Sequence, residues 1–265
     1  MLGAVIGDII GSTYEWHNVK TKDFDLFPEK SRFTDDTILS VAVADALLHR
    51  EVSDIPMHKA YAMWYRQYYH RYPDAGFGQM FSEWARADVI RVQRSFGNGA
   101  AMRAAPIGYA ASSIREVKKE VYASCRYTHR NREAIKGAQA VAVCVYLAKT
   151  GVEKKEIRNY MEKHYYPGLT SLDALRAGYV FDSRASYSVP PALLAFFESD
   201  SYEDAVRNAV SIGGDSDTIA CMAGGIAQAY YHEIPMEIKD RAFALLDTGL
   251  RTVIRQFTEK YLPLG

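Results

Sequence analysis

Cysteine is scarce. The 265 residues hold three, Cys125, Cys144 and Cys221, an odd number with no C-x-x-C or Cys/His zinc spacing. That excludes a disulfide scaffold and a structural zinc site, and it predicts a reducing compartment. An excess of one charge sign is also absent: 32 Lys+Arg stand against 32 Asp+Glu. Binding to nucleic acid by bulk charge is therefore not expected, although Arg86, Arg91 and Arg94 leave room for a local basic patch. With 48% apolar residues the chain lacks the composition of a disordered protein. The N-terminal MLGAVIGDIIGSTYEW has no positive n-region and meets Gly, Asp and Glu too early to span a membrane, so a soluble cytoplasmic protein is expected. Low-complexity tracts, linkers rich in Pro or Gly, runs of like charge and internal repeats are missing as well. One domain over 1–265 is the expectation, and a solenoid is not.

Strand-like alternation is rare. Only 179–189, YVFDSRASYSV, reads as partly extended, and its charges and serines suit a loop better. What is present instead are apolar runs rich in Ala, Leu and Met. In TILSVAVADALLHR, Ile38, Val41, Ala42, Asp45 and Leu48 recur at spacings of three and four, which is a helical stripe. Similar runs cover 56–69, 102–111, 132–149, 171–178, 191–197, 202–210, 218–231 and 235–260, and they predict an all-α bundle. Cys144 and Cys221 fall inside such runs and are expected in the core rather than as nucleophiles.

Two helix starts are acidic. Phe33-Thr34-Asp35-Asp36-Thr37 precedes one helical run and Gly213-Gly214-Asp215-Ser216-Asp217-Thr218 precedes another. Each, taken alone, is accounted for by capping: Thr34, and Asp215 or Ser216, are good N-caps, and carboxylates suit the positive end of a helix. Their coincidence says more, because each supplies two carboxylates beside a threonine hydroxyl with no Lys or Arg in the segment. Brought together, such groups repel one another unless cations bind. An all-oxygen set suits Mg²⁺, Mn²⁺ or Ca²⁺, and that many donors can serve two ions, so a dinuclear site is predicted. No EF-hand loop follows either segment.

Three further segments stand out. In Gly7-Asp8-Ile9-Ile10-Gly11, the glycines are spaced to let a second backbone approach, Asp8 is expected only to cap or bond a neighbouring loop, and Glu15 lies beyond, where a loop could carry it to the metal cluster. Ser95-Phe96-Gly97-Asn98-Gly99 before a helical run suits an anion, though Asn-Gly also marks an ordinary turn. It matches neither a P-loop nor G-x-G-x-x-G. His129, in Thr128-His129, is the one histidine of the seven placed at a helix start that could join the acidic cluster.

These five segments, in this order, resemble the ADP-ribosylglycohydrolases, the family of the dinitrogenase reductase-activating glycohydrolase and the ADP-ribosyl-acceptor hydrolases. The likeness runs from about residue 3 to about residue 235. It implies a single-domain orthogonal helical bundle with a dinuclear metal cleft holding two Mg²⁺, or Mn²⁺ in some members. It further implies Thr34, Asp35, Asp36, Asp215, Asp217 and Thr218 as metal ligands, and Ser95, Phe96, Gly97, Asn98 and His129 along the ADP-ribose. Gly11-Ser12-x-Tyr14-Glu15 is most similar to the branch that removes serine-linked ADP-ribose, in which this Glu sits on a gating loop. Glu15 and Asp215 then become the candidates for proton transfer. The implied partner is an ADP-ribosylated protein or other ADP-ribosylated acceptor, with ADP-ribose as product and no membrane. Segments 17–32 and 182–189 match no acceptor-specific pattern, so arginine-linked or nucleic-acid-linked substrates, and a non-catalytic ADP-ribose binder, stay open.

Overall fold

The computed structural model describes residues 1–52 and 54–262, and among these every regular element is a helix. In chain order they are α1 (Leu2–Gly11), α2 (Asp35–Leu48), α3 (Met57–Arg71), α4 (Gln79–Arg86), α5 (Ala105–Ala110), α6 (Ile114–Cys125), α7 (Arg132–Lys149) and α8 (Lys154–His164). There follow α9 (Leu172–Arg176), α10 (Ala185–Phe197), α11 (Tyr202–Ile212), α12 (Ser216–Tyr231), α13 (Met236–Ala244) and α14 (Thr248–Tyr261). A 3₁₀ turn, Asn98–Ala100, precedes α5. No helix among the described residues is long and apolar enough to cross a membrane.

Six of the fourteen helices among the described residues begin where a short polar side chain satisfies a free backbone donor. Thr34, Ser113, Asn131, Ser171, Ser201 and Asp247 each accept a bond from the first turn of the helix they precede. Several boundaries depart from the sequence reading. The 235–260 run breaks into α13 and α14 because Asp247 caps a new start. α10 begins at Ala185, upstream of the expected 191, and carries Pro190 and Pro191 in its interior. Pro191 cannot donate to the carbonyl of Tyr187; the Tyr179 hydroxyl does so instead at 3.1 Å, which lets the helix run through. Helices α4, α6 and α8 are amphipathic, α6 and α8 are also rich in charge, and none of the three contains a continuous apolar run.

At the centre lies α12, whose Ser216 to Ala227 stretch is buried throughout and which packs against α1, α7, α10 and α11. Among the described residues its most extensive contact is with α1. A Cβ added at Gly3 would sit 2.4 Å from the Gly224 carbonyl oxygen, one at Gly7 2.1 Å from that of Ala220, and one at Gly11 2.4 Å from the Asp217 Cα. Backbone therefore touches backbone along three turns, which sets Asp8 of α1 against the acidic start of α12. Neither helix can yield without opening the core, so Gly7→Ala is expected to cost about 3 kcal/mol, the upper end of ordinary overpacking. Urea unfolding of the variant tests this; a loss below about 1 kcal/mol would show that the α1–α12 contact has slack.

Candidate metal centre and cleft

The starts of α2 and α12 meet over α1. Asp8 is buried, and its carboxylate accepts the Thr34 backbone N–H at 2.9 Å, the Thr34 hydroxyl at 2.7 Å and the Thr37 N–H at 3.0 Å. Asp8 thus fixes the entry into α2, the loop-bonding role expected of it. Thr34 also caps its own helix, accepting from the Asp36 N–H at 3.3 Å. From the other side Thr218 donates its hydroxyl to Asp36 Oδ2 at 3.2 Å, which joins the two helix starts directly.

Two groups of carboxylates result. Asp8, Asp36 and Asp217 each present an oxygen within 4.8 Å of the others, and so do Glu15, Asp215 and Asp217. Asp217 belongs to both. Asp8 therefore does more than the sequence suggested: the residue that bonds the loop also presents an oxygen to the cluster. Asp35 lines the same cleft but stands outside both triads. None of these side chains forms an ion pair with Lys or Arg among the described residues. Asp36 Oδ1 is buried without any hydrogen-bond partner.

Hydrogen bonds offset burial and mutual repulsion only in part, and the carboxyls respond. Burial first, then the charges of Asp8 and Asp215, push Asp35 up to about 8. Burial and then Asp215 push Glu15 up to about 7. Asp8, Asp36, Asp215 and Asp217 are raised too, burial being the largest cause for each. Clustered oxygens, one of them orphaned, with no thiolate or imidazole in either triad and no basic partner, fit hard divalent cations.

The cleft that opens on these residues has a volume of about 480 Å³. Ser95, Gly97, Asn98 and His129 line its other wall. Asn98 Nδ2 donates to Asp215 Oδ2 at 2.8 Å and to Ser188 Oγ at 2.9 Å, so the glycine loop is tied to the carboxylate cluster. The Gly97 N–H is held by Ser95 Oγ at 3.1 Å. Phe96 is not in the cleft wall; it is 58% exposed, and its carbonyl accepts from the Ala185 N–H. His129 is buried, with Nδ1 2.9 Å from Thr128 Oγ1, and burial together with Arg103 holds its imidazole well below the ordinary range and hence neutral.

Sequence reasoning left other cleft residues without a role. Arg103 is fully buried among alanines, donates to Thr128 Oγ1 at 2.8 Å, and lies 4.1 Å over the Tyr65 ring, with Nε and Nη1 unpaired. A charged residue inside AAMRAAP was the available signal. Removing its charge should free the buried His129 to take a proton more readily: in Arg103→Met, NMR titration should show the His129 pKa closer to its ordinary value, and an unchanged value would deny the coupling. Trp16 and Arg32 also border the cleft. Arg91 and Arg94 share no helical face, because the stretch after α4 is irregular and Arg94 makes an isolated bridge with His129.

Residues 1–264 match the ADP-ribosylglycohydrolase family model, and the chain belongs to this family of hydrolytic enzymes. It is similar to the ADP-ribosylhydrolase ARH3 of Mus musculus, with 29% identity over 87% of this chain and 82% of that one. It is also similar to the ADP-ribosylarginine hydrolase Tri1 of Pseudomonas putida, at 27% identity over 87% and 69%. Among solved structures, an ADP-ribosylglycohydrolase-related protein complex superposes with a TM-score of 0.64 and 25% identity, covering 97% of this chain and 95% of that chain.

Proposed function

We propose that the chain, acting as one domain, is a Mg²⁺-dependent hydrolase that cleaves the glycosidic bond between ADP-ribose and an O-linked, serine-type acceptor. The observation that carries the reading is Asp217, which lines the cleft, is shared by two carboxylate triads and, among the described residues, forms no ion pair with Lys or Arg. Thr34, Asp35, Asp36, Asp215, Asp217 and Thr218, joined by Asp8, would hold two Mg²⁺, with Mn²⁺ as a substitute. The bound ions would supply Lewis acidity, orienting ribose hydroxyls and activating water.

The chain's own groups do the rest. Ser95, Gly97, Asn98 and neutral His129 form the wall along which ADP-ribose extends. Asn98 holds Asp215 in position from that wall. Glu15 stands close to Asp215, so the pair is placed to move a proton to the departing acceptor oxygen and take one from water. Cleavage through an oxocarbenium-like state is the general course of such hydrolysis.

Gly11-Ser12-x-Tyr14-Glu15 supports the serine-type acceptor, whereas the name of the Pseudomonas putida relative keeps arginine linkage in the comparison. The deciding measurement is release of free ADP-ribose from serine-, arginine- and nucleic-acid-linked substrates, with Mg²⁺ and with chelator. Turnover on the serine substrate is expected, abolished by chelator and by Asp35→Ala or Asp215→Ala. Preference for another linkage would reassign the acceptor. ADP-ribose binding without turnover on any substrate would make the chain a binder.

A further inference from the structure

The loop that carries Glu15 is tied down by a residue with no place in the proposed chemistry. Asn18 is exposed, yet its amide is fully engaged. Nδ2 donates to the carbonyls of Tyr14 at 2.7 Å, Glu15 at 2.8 Å and Gly214 at 3.2 Å, while Oδ1 accepts the Gly214 N–H at 2.7 Å. One side chain therefore grips the backbone of Glu15 and, from both sides of its peptide, the residue just before Asp215. Glu15 and Asp215 belong to the same carboxylate triad.

The site receiving this grip is shaped for it. Gly213 and Gly214 take φ values of 75° and 73°, a region L side chains rarely adopt, and a Cβ at Gly213 would stand 3.0 Å from Asn18 Oδ1 and 3.0 Å from Lys20 Nζ. Two residues on, Lys20 Nζ donates to the carbonyls of Ile212 at 2.5 Å and Tyr179 at 2.7 Å, fastening the same loop to the end of α11. At the cleft mouth the Trp16 ring stacks on Phe181, with centroids 5.5 Å apart and planes 20° apart, though Trp16 is 73% exposed.

We propose that Asn18 is a positioning residue: by bonding the backbones of Glu15 and Gly214 together, it sets the separation of the Glu15 and Asp215 carboxylates and so completes the second cation site. This rests on the reading of the cleft as a metal centre. Without the clamp, repulsion between the two carboxylates favours a loop that swings outward, taking Glu15 and Trp16 with it.

The test is Asn18→Ala in the full chain, read by three signals. Titration calorimetry with Mg²⁺ should show the affinity falling roughly tenfold, as for loss of a residue that orients ligands from behind. Acrylamide quenching of Trp16, isolated by difference from a Trp16→Phe background, should rise in the metal-free protein. Turnover should fall through kcat with KM little changed. Phe181→Ala is the companion variant: it removes the ring stack but leaves Asn18 in place, and should keep the Mg²⁺ affinity. Unchanged affinity and unchanged quenching in Asn18→Ala would overturn the proposal. So would an equal loss of affinity in Phe181→Ala, which would assign the positioning to the rings. Asn18 is exposed, so the core does not depend on it, and an unaltered circular dichroism spectrum checks that the variant folds. Neither calorimetry nor quenching requires hydrolysis, so a wild-type protein that turns over no substrate overturns the substrate reading alone.

Discussion

Asp217→Asn should lower turnover roughly a thousandfold, the scale on which losing cation-derived stabilisation of a transition state acts. Asp217 is buried and is the one carboxylate present in both triads, so neutralising it weakens two cation sites at once. Asp8→Asn and Glu15→Gln each touch a single triad. Elemental analysis after dialysis should accordingly show the greatest metal loss for Asp217→Asn. The same substitution should raise the metal-free melting temperature. Asn has nearly the shape of Asp, and it removes a charge that burial and the neighbouring Asp215, Asp36, Glu15 and Asp8 all penalise. Loss of metal with a gain in apo stability separates a ligand from a residue that merely holds the fold. Retention of both ions and of turnover would remove Asp217 from the centre of the site.

The acidic helix starts were legible in the sequence because their signal is local, although of the two caps expected only Thr34 forms its bond; Asp215 stands at the N-cap of α12 without a side-chain cap bond. Thr34 with Asp35 and Asp36, and Asp215 with Asp217 and Thr218, announce themselves within a few residues, and their lack of basic neighbours hints at a cation. Asp8 was legible only in part. Seen alone it is one acid in an apolar helix, for which loop bonding is a sufficient explanation, and it does bond Thr34 and Thr37. Its second role comes from the contact of Gly7 and Gly11 with Ala220 and Asp217, a pairing more than 200 residues apart in the chain. The glycine spacing suggested a close approach but could not name the partner helix. Asn18 was invisible for a related reason, since the Gly214 it grips lies across the fold. Helix α6 was legible in principle: Ser113 and Glu116 begin it, and Val117, Val121 and Cys125 bury one face at intervals of four. Its many charges hid that stripe from a reading led by continuous apolar runs.

With chelator present, stability should fall as pH rises from about 4 to about 8. The sign follows from the raised carboxyls. In the unfolded chain they titrate near 4, whereas in the fold Glu15 is pushed to about 7 and Asp35 to about 8. Between those limits the folded protein holds more protons than the unfolded one, so raising the pH draws the equilibrium toward unfolding. The stabilisation is complete below the unfolded value and gone above the folded one. Both side chains retain some contact with solvent, which screens the effect, and a total loss on the order of 3 kcal/mol is expected. Mg²⁺ should reverse the trend, because an ion that binds the folded cluster and not the unfolded chain stabilises by mass action, by about 2.7 kcal/mol at a hundred times its dissociation constant. It also competes with protons for the same oxygens, so its benefit should grow toward pH 8. Urea unfolding at fixed pH steps, with chelator and with Mg²⁺, measures both curves. Metal-free stability that rises across this window, or a Mg²⁺ increment that does not depend on pH, would mean that these carboxylates neither repel one another as placed nor receive the ion. A falling curve that Mg²⁺ flattens is the behaviour of an acidic cluster whose repulsion is tolerated because the cluster is there to bind.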